Sequence, residues 1–431
     1  MSVGLLDARA ARYPILVFPA LPFHVVGVSH HTAGVEVRER LAFTPADVSA
    51  LLARERLAGR SGLLLSTCNR TEFYWGGDHD MEPWFLEIAR ERGADITGAL
   101  NRFHGAAAVR HLFTVVAGLD SQILGESEIL GQVRRACELA RAAGTVNRDM
   151  EMVFGAATSA GRRVRRETTL GRHPASVSSA AVGLGLSLAP HGSPRVLVLG
   201  AGEVAEAAMR ALYERGITEV ILVNRNPQRA AGLAASWGTE SHRWEELPGL
   251  IQAADLFLVT TGAKRPCISA ALLAEAAAGR GDRDLVVMDL AVPRNVEPAA
   301  RAVPGLRLLD LDDLQRLCCP TSGGVALPSG SAHAEQILLE EMARLDLIMR
   351  GRAIAPRLAE LHRVGAEIAE RETAWALARL DGLSEEERQV VRDLADRLVR
   401  RVLYPVSRSI RLDEATEPED TEPEAAEPLS A

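Results

Sequence analysis

Three hydrophobic patterns succeed one another along the chain. In the first, short apolar runs alternate with helix-period stretches. Residues 24–28 read as a buried strand, and 63–65 and 73–75 as two more flanking the loop 66–72. Thr44, Pro45 and Asp47 form a helix start, because the hydroxyl caps open N–H groups, proline suits the first turn and a carboxylate suits the positive helix end. Residues 118–144 and 151–166 carry helical spacing, so a small α/β domain is expected over 24–170, and the Gly- and Pro-containing link 168–174 joins it to the next. The second pattern alternates apolar runs with helices: strands at 195–200, 219–224, 255–261 and 285–290, and a helix over 202–215. Such alternation predicts a Rossmann-like, doubly wound parallel sheet over 171–325. From 332 onward the pattern is helical only. Leu338, Met342, Leu345 and Met349, then Leu361, Ile368 and Trp375, then Val391, Leu394 and Leu398 repeat at helical spacings. The helical module expected over 326–412 serves either as a dimer interface or as an intramolecular bundle.

Composition narrows the class. The 431 residues allow about three domains of roughly 150 each. No apolar run approaches the ~20 residues of a membrane-spanning helix. With 47% hydrophobic and 25% charged residues, fibrous and wholly disordered classes are excluded as well. The net charge of -8 says little about partners, because residues 413–431 hold eight carboxylates and no cation, leaving the body near neutral. That tail is expected to be disordered. Residues 1–23 read as an extension and not a signal peptide, since Pro14, Pro19 and Pro22 interrupt their apolar pieces. The five cysteines are scattered without CxxC spacing, so reduced thiols, a cytoplasmic location and no metal site are expected. Lys264 is the single lysine, which limits Schiff-base chemistry to one nucleophile. Arg162, Arg163, Arg165 and Arg166 form either a solvated helix face or a nucleic-acid contact.

Two segments carry candidate chemistry. Gly200-Ala201-Gly202-Glu203-Val204-Ala205 directly follows a strand and opens a helix, the context in which a GxGxxG/A run binds a dinucleotide. The first glycine permits the turn, the second lets pyrophosphate approach, and Ala205 allows close packing, with phosphate at the positive helix end. The next strand ends at Asn224-Arg225, where an NAD site would place an acid. Arg225 would instead attract a 2′-phosphate, favouring NADPH, or else simply face solvent. In Ser66-Thr67-Cys68-Asn69-Arg70, Cys68 follows an apolar strand beside a cation that favours the thiolate, so it is either a nucleophile or a core cysteine. His104 and His111, seven apart, could share a helix face and supply an acid or base. A thiol together with a nicotinamide suggests thioester reduction.

The chain resembles the glutamyl-tRNA reductase family through Gly27-Val28-Ser29-His30-His31-Thr32-Ala33, Arg38–Phe43, Leu65-Ser66-Thr67-Cys68-Asn69-Arg70-Thr71-Glu72, Gly118-Leu119-Asp120-Ser121, Gly125-Glu126, Ile129-Leu130-Gly131-Gln132-Val133 and Asp289-Leu290-Ala291-Val292-Pro293-Arg294. The resemblance implies NADPH-dependent reduction of glutamyl-tRNA to glutamate-1-semialdehyde for tetrapyrrole synthesis, a homodimer, and a transient complex with the aminomutase that takes the aldehyde. It further implies that Cys68 forms the thioester and that His111 matters for activity. Thr67, Asn69, Arg70, Ser121, Glu126, Ser127, Glu128 and Gln132 would bind the aminoacyl end. Departures are Glu128 for a usual Gln, Gly34 for Pro and Asn295 for Asp. The family tends to run a long helix where this chain has Pro320, Gly323, Gly324, Pro328 and Gly330, which should break it. Two other readings share these features: a thiol-dependent semialdehyde dehydrogenase acting on acyl phosphate or acyl-CoA, and a redox-sensing NADP-binding dimer.

Overall fold

Consecutive apolar residues at the start of the chain pair into an antiparallel sheet. β1 (Phe23–Ser29) is followed by α1 (Val35–Arg40) and α2 (Pro45–Leu57). Next come β2 (Leu63–Ser66), β3 (Arg70–Gly76), α3 (Glu82–Glu91) and β4 (Asn101–His104). The strand order is β2-β3-β1-β4, with Ser29 opposite Arg70 and Ser66 opposite Thr71. Only Thr67, Cys68 and Asn69 separate β2 from β3, so Cys68 sits on a tight turn at the sheet's end. The helix start at Thr44 is a full capping box: its hydroxyl accepts from Asp47 N while the Asp47 carboxylate accepts from Thr44 N. Helices α4 (Gly105–Val116), α5 (Glu128–Ala143) and α6 (Arg148–Glu167) complete this part. Phe154 of α6 meets Phe23 and Tyr74 edge-on in the core.

The structure, a computed structural model, describes residues 21–121, 128–171, 177–189, 194–281, 283–318 and 331–416. Pro22–Glu341 forms one compact unit, and the helices from Met342 belong to another. Helix α7 (Val177–Leu188) leads into the second sheet. Its elements are β5 (Val196–Leu199), α8 (Glu203–Tyr213), β6 (Val220–Val223), α9 (Pro227–Trp237), β7 (Glu240–His242), α10 (Leu247–Ala253), β8 (Leu256–Val259), α11 (Ala270–Ala278), β9 (Leu285–Asp289), β10 (Leu306–Leu309) and α12 (Leu311–Cys318). The six strands are parallel in the order β10-β9-β8-β5-β6-β7, the doubly wound order whose direction reverses between β5 and β8. The four apolar runs seen in the sequence are β5, β6, β8 and β9. The edge strands escape a hydrophobic scan, because β7 is Glu-Ser-His and β10 is interrupted by Arg307.

Three expectations need correction. Residues 118–121, expected to open a helix, are not helical, because Gly118, at φ 75°, ends the turn that closes α4; the helix is described from Glu128. His104 lies on β4 and not on a helix, and its Nδ1 is 2.9 Å from Nδ1 of His24 across the ladder, so it shares no helix face with His111. Helix α14 (Glu385–Thr416) runs into the segment expected to be disordered from 413. The expected break at Pro320–Ser331 lies outside the described residues up to 330; α13 (Ser331–Leu377) is described from Ser331. In the helical unit, His362 and Gly365 of α13 face Ser407 and Leu403 of α14. Trp375, Leu394, Leu398 and Val402 stay exposed on the single chain. Among the described residues, no helix is long and apolar enough to cross a membrane.

Gly161 marks where α6 crosses α4: a Cβ there would lie 2.8 Å from both Val116 Cγ1 and the Val116 carbonyl oxygen. Alanine ordinarily gains about 1 kcal/mol over glycine inside a helix, but overpacking against backbone costs ~1–3 kcal/mol. Gly161→Ala should therefore lower the thermal midpoint, and a raised midpoint in a calorimetric scan would contradict this packing.

Candidate active site

The turn that carries Cys68 is held from three sides. The Thr67 hydroxyl accepts from the backbone N–H groups of Asn69 and Arg70 at 3.1 and 3.2 Å. His30 N donates to Asn69 O at 2.8 Å. The Cys68 carbonyl accepts from the guanidinium of Arg38, a buried residue of α1 whose Nε donates to Ala33 O at 3.1 Å. Cys68 is half-buried and packs against the apolar core of the parallel sheet, so it stands at the seam between the two sheets. Burial pushes the Cys137 thiol up to about 11 and raises that of Cys267, which keeps both protonated.

Beneath the turn lies a buried ionic network. Arg70 is 1% exposed, and its guanidinium donates to Glu72 Oε1 and Asp120 Oδ2, each at 2.9 Å, and to the Asp120 carbonyl. Glu72 also meets His111 Nε2 at 2.9 Å and accepts from the Tyr74 hydroxyl at 2.5 Å. Burial alone would push the Glu72 carboxyl up. Arg70, then His111, outweigh it and hold it at about 2. Asp120 is likewise held low against burial by His31, whose Nε2 is 2.9 Å from Oδ1, and by Arg70. An ionised Glu72 can only accept, so His111 Nε2 carries the proton between them. The His111 ring stacks on Phe103 with centroids 4.4 Å apart, which fixes its plane. Burial, then His31 and Arg70, lower His30 to about 3, so it stays neutral.

Of the residues expected to bind an aminoacyl group, Thr67, Cys68, Asn69 and Arg70 share this turn. The Arg70 guanidinium, expected to bind the aminoacyl end, is engaged by Glu72 and Asp120 in the buried network. Ser121 is half-buried beside Asp120, and Glu128 and Gln132 are half-buried one turn apart on α5. Burial, then Glu203, raises the Glu128 carboxyl. Glu126 and Ser127 lie outside the described residues. Arg38, Glu72 and Asp120 lie within the segments that carry the resemblance, yet nothing in spacing alone marks them as the frame of the turn. Among the described residues, no group of three or more His, Cys, Asp or Glu is placed to hold a metal ion.

The glycine-rich loop fits a dinucleotide. Gly200 has φ 129°, and a Cβ there would lie 2.8 Å from Thr260 O, so backbone of β5 and β8 meets closely at the switch point. Gly202 caps α8 without any side-chain bond, and a Cβ there would meet nothing within 4 Å, so the helix start has room for an anion. Ala205 is fully buried in the core, Val204 half-buried, Ala201 half-buried, and Glu203 pairs with Arg135. Asn224 Nδ2 donates to Asn226 O at 3.1 Å, and the exposed Arg225 lies 5.0 Å above the Trp244 ring.

Three family models match: glutamyl-tRNAGlu reductase, N-terminal domain, over 26–168; shikimate / quinate 5-dehydrogenase over 187–317; and glutamyl-tRNAGlu reductase, dimerisation domain, over 333–429. The chain is 35% identical over 398 residues to a glutamyl-tRNA reductase of Desulforudis audaxviator, covering 90% of this chain and 89% of that one. It is 42% identical over 295 residues to one of Deinococcus radiodurans, covering 68% and 84%. The solved glutamyl-tRNA reductase from Methanopyrus kandleri is 27% identical, covers 92% of this chain and 99% of that chain, and superposes with a TM-score of 0.42.

Because Glu72 is held well below its unfolded value near ~4.3, the stability it contributes is fully present above about pH 4.5 and is lost as pH falls toward its folded value. Glu72→Gln leaves buried Arg70 short of one partner and should cost about 3 kcal/mol at neutral pH. Chemical denaturation at pH 6 and pH 3 should show the gap between the two proteins narrowing with acidity; a widening gap would contradict the assignment.

Proposed function

The chain belongs to the glutamyl-tRNA reductase family, oxidoreductases that catalyse the first step of tetrapyrrole synthesis from glutamate, and on that premise we propose that Cys68 is the thioester-forming nucleophile and that NADPH is the reductant. A nicotinamide cofactor belongs to the shikimate dehydrogenase-like domain, and Gly200, Ala201, Gly202, Glu203, Val204 and Ala205 would hold its pyrophosphate. Asn224 and Arg225 would take the ribose phosphate that distinguishes NADPH.

In this reading the Cys68 thiolate attacks the ester carbonyl joining glutamate to the tRNA. The carbon–sulfur bond forms, the carbon–oxygen bond breaks, and the released tRNA hydroxyl takes the proton that His111 would hold on Nδ1 as an imidazolium beside the thiolate. Glu72 and Phe103 hold that imidazole in one tautomer and one plane. Thr67, Asn69, Ser121, Glu126, Ser127, Glu128 and Gln132 would line the aminoacyl pocket, and Arg70 would fix its floor from beneath. A reduced nicotinamide held by residues 200–205 would supply the hydride that reduces the thioester, and Cys68 would leave as the thiolate when the aldehyde is released. That product would pass to the aminomutase through a transient complex. The dimerisation domain would join two chains through the apolar residues left exposed on α13 and α14, Trp375, Leu394 and Leu398 among them.

The observation that carries this reading is the place of Cys68, on a pinned turn over the Arg70 network and against the parallel-sheet core. NADPH oxidation with glutamyl-tRNA should fall about 10³-fold or more in Cys68→Ser. Turnover with an acyl phosphate or acyl-CoA but not with glutamyl-tRNA would favour the small-substrate dehydrogenase instead. Arg225→Asp should shift the NADPH over NADH preference in kcat/KM by about tenfold or more, through loss of a charge-assisted contact. An unchanged preference would remove Arg225 from the cofactor site.

A further inference from the structure

The two sheets are tied together by ion pairs that the chemistry above does not use. Arg294 follows β9 on a loop fastened from within. The Asp289 carboxylate accepts the backbone N–H groups of Ala291, Asn295 and Val296 at 3.1, 2.8 and 2.8 Å. Asn295 Nδ2 donates to Ala263 O and Pro293 O, each at 3.0 Å, and its Oδ1 accepts from the Thr261 hydroxyl. The loop thus projects Arg294 from the carboxyl end of the parallel sheet, the side on which such sheets hold their ligand.

Arg294 reaches across to α1. Its Nε and Nη2 meet the two oxygens of Glu39 at 3.0 and 2.9 Å, its backbone N donates to Glu39 Oε2 at 3.2 Å, and Nη1 meets Glu36 Oε1 at 3.0 Å. The Arg294 side chain is only 13% exposed, whereas Arg135–Glu203 and Lys264–Asp47, which also span the seam, are water-screened pairs. Helix α1 is short and holds Cys68 by its other face: Arg38 binds the Cys68 carbonyl and Asp312 of α12, and Asp312 also accepts from Val35 N at 2.8 Å. One rigid turn of helix therefore connects the cofactor-bearing half to the main chain of the nucleophile.

We infer that Arg294 is a positioning residue for the reduction step: by gripping Glu39 and Glu36 it sets the parallel-sheet half against the Cys68 turn, so that the thioester carbonyl lies where hydride is delivered. The inference rests on the thioester reading of Cys68. The residues named for attack on glutamyl-tRNA all belong to the antiparallel-sheet half, so the two chemical steps should respond differently to loss of the grip. Misplacement by about 1 Å costs on the order of 10²-fold in rate.

The test compares unaltered enzyme, Arg294→Gln, and the charge-swapped pair Arg294→Glu with Glu39→Arg. Radiolabelled glutamyl-tRNA is added first without cofactor, to follow label bound to protein, and then with NADPH, to follow semialdehyde release in a single turnover. Arg294→Gln should load label at the unaltered rate yet release aldehyde about 10²-fold more slowly. The swapped pair should recover much of that loss, which a general folding defect would not. Unimpaired reduction in Arg294→Gln overturns the inference while leaving the thioester reading intact. Equal loss of loading and reduction without rescue in the swapped pair overturns it too. Absence of label on the unaltered enzyme overturns both.

Discussion

A buried guanidinium with two carboxylates organises this protein. Arg70 carries its charge in a place water does not reach, and a lone charge there would be prohibitive. Glu72 and Asp120 make it tolerable, and each in turn fixes a histidine, His111 and His31. The network spans the antiparallel sheet, the end of α4 and the segment after it, so the Cys68 turn above it rests on side chains with little freedom to rearrange. Such pairs add little to stability in comparison with an apolar core, but breaking one is costly, and they specify one arrangement.

From this base the geometry propagates outward through α1. Arg38 ties the Cys68 carbonyl to Asp312, and Glu36 and Glu39 tie the same helix to Arg294. The doubly wound sheet brings its own constraint, since its strand order reverses between β5 and β8 and Gly200 lets their backbones meet there. The Cys68 turn and the glycine-rich loop, built on separate sheets, thereby belong to one compact unit.

Much of this was legible in the sequence where local chemistry decides the structure. The Thr44 capping box, the apolar cores of β5, β6, β8 and β9 and the glycine-rich loop each declare themselves within a few residues. The edge strands β7 and β10 did not, because an edge needs no continuous apolar run, and neither did β4, which runs directly into α4 at His104. The resemblance located Cys68, His111 and Arg70 but said nothing of the partners that hold Arg70. Its inward engagement depends on Asp120, fifty residues away, and on the register that sets Ser29 beside Arg70. Partnerships of that separation, like Arg38 with Asp312 and Arg294 with Glu39, have no periodic signature. They follow only from the assembled fold.

The central claim is that Cys68, on its pinned turn, takes the acyl group covalently. Peptide mass spectrometry after acid quench of the full-length enzyme with glutamyl-tRNA, in the absence of NADPH, tests it most directly. The account predicts a glutamyl adduct on the peptide containing Cys68 and none on those containing Cys137 or Cys267. An adduct on another cysteine, or unmodified Cys68 in enzyme that turns over when NADPH is added, would contradict it.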